Sequence, residues 1–195
     1  MSTAASALLV MDVQQGIVDR YPDPAYLQRL RDAIDAARAA GLPVVYVVIG
    51  FRAGHPEISP RNKTFSAVAA NGAFAEGDPG VRIHPDVAPL PGDVVVTKKR
   101  VSAFAGSDLD LVLRAAGVDS LVLTGIATSG VVLSTLRQAA DLDFGLTVLA
   151  DACLDADPEV HRVLTEKVFP RQAEVTTVAA WTAWAEAHGS TRREA

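Results

Sequence analysis

Cysteine is almost absent from this 195-residue chain. The one thiol, Cys153, permits neither an intrachain disulfide framework nor a multi-cysteine zinc site, and it suits a reducing compartment. A basic surplus is missing as well. Lys plus Arg number 18 against 23 Asp plus Glu, a net charge of −5, which excludes the clustered basic surface that non-specific nucleic-acid binding needs. No apolar run approaches the ~20 residues that span a bilayer, and Met1–Ser6 lacks the basic region of a signal peptide. The chain therefore reads as a soluble, cytoplasmic protein with no nucleic-acid and no membrane partner. No G-x-G-x-x-G follows the first apolar run, where Gln14-Gln15-Gly16 stands instead, so dinucleotide binding is excluded. The four histidines (His55, His84, His161 and His188) are dispersed. Zinc wants at least three protein ligands, so these histidines read as structural or exposed, and neither metal nor cofactor is expected.

What the chain does have is a regular alternation. Short β-branched and leucine-rich runs occur at Ala7–Met11, Pro43–Val48, Asp93–Thr97, Ser120–Thr124, Leu146–Ala150 and Glu174–Thr177. Most are apolar at consecutive positions, the mark of strands covered on both faces. Helical segments lie between them. Asp23-Pro24 marks a start, Leu27, Leu30, Ile34 and Ala37 recur at helical spacing, and Gly41 marks the end. Asp157-Pro158 repeats that start, with Val160, Val163, Leu164 and Val168 as a buried stripe. Further helices follow Ser107, begin around Gly130, and run over Val178–His188, where Trp181 and Trp184 read as packing anchors. Strand–helix alternation predicts an α/β fold with a mostly parallel sheet and helices on both faces. No linker or repeat divides residues 1–195, which read as one domain with a frayed tail at about 190–195. The stretch from Gly50 to Gly92 is a connection of roughly 40 residues, long for a compact domain and typical of functional or interface loops.

Ligands in open α/β sheets bind beyond the carboxyl ends of the strands. That rule selects Asp12 after the first run, Lys98 and Lys99 after the third, Thr128-Ser129-Gly130 after the fourth and Asp151 after the fifth. A carboxylate and an amine converging at one sheet edge can move protons, because burial raises the acid's pKa while the amine opposes the rise. Taken singly, Asp12 reads more readily as a cap and Lys98 as a solvated side chain.

In combination these segments resemble a known family. Met11-Asp12-Val13-Gln14, the stretch Lys98-Lys99-Arg100-Val101-Ser102-Ala103-Phe104, and Thr124-Gly125-Ile126-Ala127-Thr128-Ser129-Gly130-Val131-Val132-Leu133-Ser134-Thr135 are similar to the three signature blocks of the isochorismatase-like hydrolases. Asp151-Ala152 and Asp157-Pro158-Glu159-Val160-His161 also match, and the resemblance runs from Ala7 to about Trp181. It implies a three-layer α/β/α Rossmann-like sandwich whose six strands are ordered 3-2-1-4-5-6. It further implies an Asp–Lys–Cys triad in which a thiolate attacks an amide- or nitrile-type carbon. By that resemblance Asp12 is the general acid/base and Lys98 stabilises charge. A cis peptide falls between Ile126 and Ala127, and the N–H groups of Ala127 and Val131 form the oxyanion hole. A homodimer or homotetramer is implied too.

The nucleophile position of the family is held by Val131, which can neither attack nor exchange a proton. True isochorismatases also lack the thiol and protonate a vinyl ether with the Asp, but Ser129 stands where they carry a histidine. Cys153 lies two strands from Asp12, about 10 Å away, and reads as a small buried residue. The family's nicotinamidases bind zinc through an Asp-x-His set after the second strand, where this chain has Ile49-Gly50-Phe51-Arg52. Gln14, Phe51 and Ser129 are the candidates for substrate contact, with Arg52, Arg61 and Arg100 as possible anion partners. Two functions follow as expectations. One is a cofactor-free hydrolase that cleaves a C–N, vinyl-ether or similar bond in a small molecule through Asp12, with no cysteine nucleophile. The other is a catalytically silent homologue that binds a small molecule or serves as an oligomeric scaffold.

Overall fold

The apolar runs form six strands in a computed structural model that describes residues 5–189, with side chains through Ala187. They are β1 (Ser6–Met11), β2 (Val44–Ile49), β3 (Val94–Lys98), β4 (Ser120–Ile126), β5 (Gly145–Leu154) and β6 (Glu174–Thr176). All neighbours pair in parallel, in the order β3-β2-β1-β4-β5-β6. The α/β fold and strand order are those the resemblance implies. The central strands are apolar at consecutive positions because both faces are covered, and every residue of β1 is buried.

Among the described residues seven α-helices accompany the sheet: α1 (Gln15–Val18), α2 (Tyr26–Ala39), α3 (Lys63–Ala70), α4 (Leu109–Ala115), α5 (Leu133–Asp141), α6 (Pro158–Val163) and α7 (Val178–Gly189). On α2, Tyr26, Leu30, Ala33, Ile34 and Ala37 fall on one stripe and are buried, as helical spacing requires. They join Leu8, Val10, Val122, Leu149 and Trp181 of α7 in the core on one face of the sheet. On the other face Leu109 and Leu113 of α4 and Leu136 and Ala139 of α5 pack over Leu9, Met11, Val45, Leu123 and Val148.

Several details depart from the sequence reading. Strand β3 lies at the edge of the sheet and is not fully covered: Val94 and Val95 are 38% and 48% exposed. Strand β5 runs through Leu154, so Asp151 and Cys153 lie within it, past a register shift between Leu123 and Gly125. Helix α2 begins two residues beyond Pro24, and the Asp23 carboxylate accepts from the Ala25 N–H at 2.9 Å. Asp157 does cap α6, but Val160 is exposed and Val163, Leu164 and Val168 are only half-buried, and the helix gives way after Val163 to a wider turn over Leu164–Val168. The long connection is not featureless. It holds α3, capped by Asn62 accepting from Phe65 N–H at 3.1 Å, and two 3-10 turns. Phe65 and Phe74 of this connection cluster with Ile49 and Phe51 as a satellite core. The predicted frayed segment 190–195 and the side chain of His188 lie outside the described residues.

Candidate active site

The strand order reverses direction at β1, which has β2 on one side and β4 on the other, so the crevice between the ends of β1 and β4 is the place a ligand enters such a sheet. Gly125 brings these two ends together. It faces Met11 in the register and has φ of 135°, and a Cβ there would stand 2.2 Å from the Met11 carbonyl oxygen. Only glycine fits so close an approach. The next peptide, Ile126–Ala127, is cis. The chain then turns through Thr128–Val132, a one-turn π-helical stretch, into α5, and the N–H groups of Gly130 and Val132 both donate to the Ala127 carbonyl, at 3.0 and 3.2 Å.

Asp12 is the first residue beyond β1. Its N–H donates to Val47 O at 2.8 Å and its φ is 57°, a left-handed conformation that Asp tolerates better than most residues. Lys98 is the last residue of β3 and sits opposite Ile49 in the register. Its four-carbon stem crosses the end of β2, and Nζ meets Asp12 Oδ2 at 3.0 Å. The same ammonium donates to Arg100 O at 3.0 Å. Both side chains are almost sealed from solvent, at 3% for Lys98 and 9% for Asp12. Burial pushes the Asp12 carboxyl up from 3.8 to about 6, against the opposing pull of the Lys98 ammonium. Asp12 Oδ1 is buried with no hydrogen-bond partner. One carboxylate oxygen is thus fixed by the amine, and the other is free to take or give a proton. Such a carboxyl changes charge close to neutrality, as acid–base work requires.

Val131 is 2% exposed and belongs to the same buried cluster as Met11, Ala103 and Phe104. Its side chain is hydrocarbon and carries no ionisable group.

Three residues singled out as substrate contacts are placed differently from one another. Gln14 is fully buried and its amide is spent. Nε2 donates to Ile49 O at 2.9 Å and Val81 O at 2.8 Å, while Oε1 accepts from Ile49 N–H at 2.8 Å. Both amide protons are committed, so Gln14 has none left for a ligand. It ties the end of β2 to the segment after β1, which sets the gap that Lys98 spans. Phe51 is buried in the satellite core beside Phe65 and Phe74, and lines a pocket of about 310 Å³ with Thr97 and Lys99. Ser129 is exposed, and its N–H donates to Asp155 Oδ2 at 2.7 Å. The arginines are also largely occupied. Arg100 donates to the carbonyls of Lys99 and Glu57, at 2.6 and 2.9 Å, and Arg52 pairs with Glu57 at 2.6 Å. Arg100 thereby anchors the carbonyl that receives Lys98.

Cys153 is paired across from Gly125, and burial pushes its thiol from 9.0 up to about 12. A thiol held protonated in this way is a packing group rather than a nucleophile. His55 bonds Ala73 O at 2.8 Å through Nε2 and lies against the Phe51 ring, while His84 accepts from Asp86 N–H at 3.3 Å. No group of three or more His, Cys, Asp or Glu able to hold a metal ion occurs among the described residues. Nor is any helix among them long and apolar enough to cross a membrane.

Sequence reasoning passed over some residues that hold the site. Thr135 Oγ1 accepts from Ala103 N–H at 2.9 Å, joining α5 to the segment after Lys98. Thr124 Oγ1 donates to Leu9 O at 2.8 Å, inside the β1–β4 seam. Both threonines lie in the third of the quoted blocks, but nothing local shows which backbone group each meets.

Comparison with known proteins fits this geometry. The isochorismatase domain family matches residues 6–180. Ureidoacrylate amidohydrolase RutB of Stutzerimonas stutzeri is 34% identical, over 94% of this chain and 80% of its own length. A solved cysteine hydrolase from Pseudomonas syringae pv. phaseolicola superimposes with a TM-score of 0.85 at 26% identity, covering 96% of this chain and 95% of its own. N-carbamoylsarcosine amidase from Thermoplasma acidophilum gives a TM-score of 0.72 at 27% identity, over 89% and 96%. With strand order, domain match and a relative at this identity all in agreement, the chain belongs to the isochorismatase family of hydrolases.

Proposed function

We propose that the protein hydrolyses a C–N bond of a small carbamoyl- or ureido-type molecule by direct attack of water, with Asp12 moving the proton and no covalent intermediate on the chain. The observation that carries this reading is the sealed Asp12–Lys98 pair, in which Oδ2 is held at 3.0 Å and Oδ1 has no partner. The ionised Asp12 takes a proton from water as its oxygen bonds to the carbonyl carbon, and the π electron pair moves onto the carbonyl oxygen. The N–H groups of Ala127 and Val131 receive that oxyanion. The C–N bond then breaks, its electrons leaving with nitrogen, and Asp12 returns the proton to the leaving amine. Lys98 holds the carboxylate in place and balances its charge. Val131 has no electron pair to give, so the nucleophile is water. The names of the two amide-cleaving relatives support a C–N bond.

A second reading also has a specific observation behind it. A carboxyl titrating at about 6 is partly protonated near neutrality, and can protonate the carbon of a vinyl ether before water adds.

The test is hydrolysis of ureidoacrylate, N-carbamoylsarcosine and isochorismate by the wild-type protein and by Asp12→Asn. Turnover of a carbamoyl or ureido compound, reduced about 10³-fold in Asp12→Asn, supports the first reading. A wild type inactive on the whole panel, combined with amidase activity gained in Val131→Cys, would leave the protein as a silent homologue.

A further inference from the structure

Two side chains from the β5–α6 region reach the turn that follows the cis peptide. His161, on α6, lies with Nδ1 2.8 Å from Thr128 Oγ1. Asp155, just beyond β5, accepts the Ser129 N–H through Oδ2 at 2.7 Å. The turn between them is irregular: Gly130 has φ of −96° and ψ of −105° within an otherwise helical stretch. Its backbone leans on one carbonyl, that of Ala127. Thr128 is fully buried, and its hydroxyl faces a ring that is itself anchored, since α6 is capped by Asp157 accepting from Glu159 and Val160 N–H at 2.9 and 3.4 Å.

The geometry points to Asp155 and His161 as positioning residues that hold residues 128 and 129, and through them aim the N–H groups of Ala127 and Val131 at the reacting oxygen. This rests on the reading that those two N–H groups stabilise developing negative charge. Each is bonded to the turn and acts through it. A misplacement of 1 Å at a reacting centre costs about 10²-fold in rate, which sets the scale of the effect.

The charged groups around the ring are identifiable. Asp23, Arg29, Asp151 and Asp155 line one cavity of about 260 Å³ with His161. On its own helix and the turn after it, Arg162 is paired with Glu159 and Glu166. Burial lowers the His161 pKa and Asp155 opposes that. Gaining a proton fixes Nδ1 as a donor and leaves the Thr128 hydroxyl to accept from it.

The experiment compares His161→Asn, which keeps a hydrogen-bonding atom near the Nδ1 position, with His161→Gln, which moves it to the Nε2 position, and His161→Ala, which removes it. On whichever panel substrate is turned over, His161→Ala and His161→Gln are expected to lower kcat about 10²-fold with KM little changed. His161→Asn is expected to stay within about threefold, since it keeps the tether. Amide 1H–15N resonances give a readout that needs no substrate. The Ser129 and Val131 signals should follow the titration of the His161 ring in wild type and lose that step in His161→Asn. Thr128→Val and Thr128→Ser repeat the comparison from the other side of the bond, should His161→Ala fail to fold. Equal kcat in wild type and His161→Ala, equal losses in the Asn and Ala variants, or turn amides blind to the titration would each overturn the proposal. A protein with no turnover but with amides that follow His161 leaves the positioning intact and defeats the hydrolase reading instead.

Discussion

In the proposed reaction Asp12 moves the proton, and its environment rather than its identity fits it for that role. An exposed aspartate is ionised throughout the physiological range. Sealed beside Lys98, this one titrates at about 6. The sign of the pH dependence therefore separates the two chemistries. If Asp12 accepts the proton of attacking water, the ionised form is active, so kcat/KM rises about tenfold per pH unit up to the Asp12 pKa and is flat above it. If Asp12 first protonates carbon, the profile falls above that pKa instead. A pH–rate profile of the wild type decides between them, and the inflection should vanish in Asp12→Asn. The second prediction at this scale concerns the thiol. Cys153 is buried, its thiol pushed up to about 12, so Cys153→Ser should leave kcat/KM within about twofold. A large loss of activity in that variant would place the site elsewhere. That Asp12 and Lys98 fall at the ends of strands was legible in the sequence. The distance from Lys98 to Asp12 and the unpartnered Oδ1 were not, because both depend on a side chain crossing a third strand.

At the scale of elements, the seam between β1 and β4 is where local sequence and tertiary demand meet. Gly125 falls inside a run of leucine and valine, where glycine weakens a strand, and its place there is explained by the Met11 carbonyl at 2.2 Å from any added Cβ. Gly125→Ala should destabilise the fold by about 3 kcal/mol, read from the urea midpoint, and should disturb the turn that follows. A midpoint unchanged from wild type would mean that β1 and β4 part more easily than this contact implies. Gln14 shows the reverse case. A glutamine after the first strand reads from sequence as a ligand contact, yet all its polarity is absorbed by Ile49 and Val81. Nothing local announces this, since its partners are 35 and 67 residues away. Helix α3 was missed for a related reason: it has eight residues, only Phe65 is buried, and a short stripe of that kind is lost within a connection rich in proline and glycine.

For the whole molecule, stability rests on two apolar layers pressed on one sheet, and the described C-terminal helix belongs to one of them. Trp181 of α7 is 1% exposed and packs in the same cluster as Leu30 and Ile34 of α2. Trp181→Ala should cost about 3–5 kcal/mol, measured by denaturant unfolding, while leaving kcat of the remaining folded protein close to wild type. A marked fall in kcat at full folding would mean that the layer under α2 and α7 is coupled to the site more tightly than its position indicates.

Strand–helix alternation, consecutive apolar runs and the capping residues settled the α/β class and the parallel sheet from sequence alone, because burial on both faces writes itself directly into composition. Which polar groups remain free to work was decided only by the tertiary structure. Packing spent Gln14 and Arg100 on backbone groups, gave Thr128 and Ser129 partners in His161 and Asp155, and left Asp12 Oδ1 alone beside a buried amine. Hydrogen-bond allotment is a property of neighbours in space, and those neighbours are set by the fold.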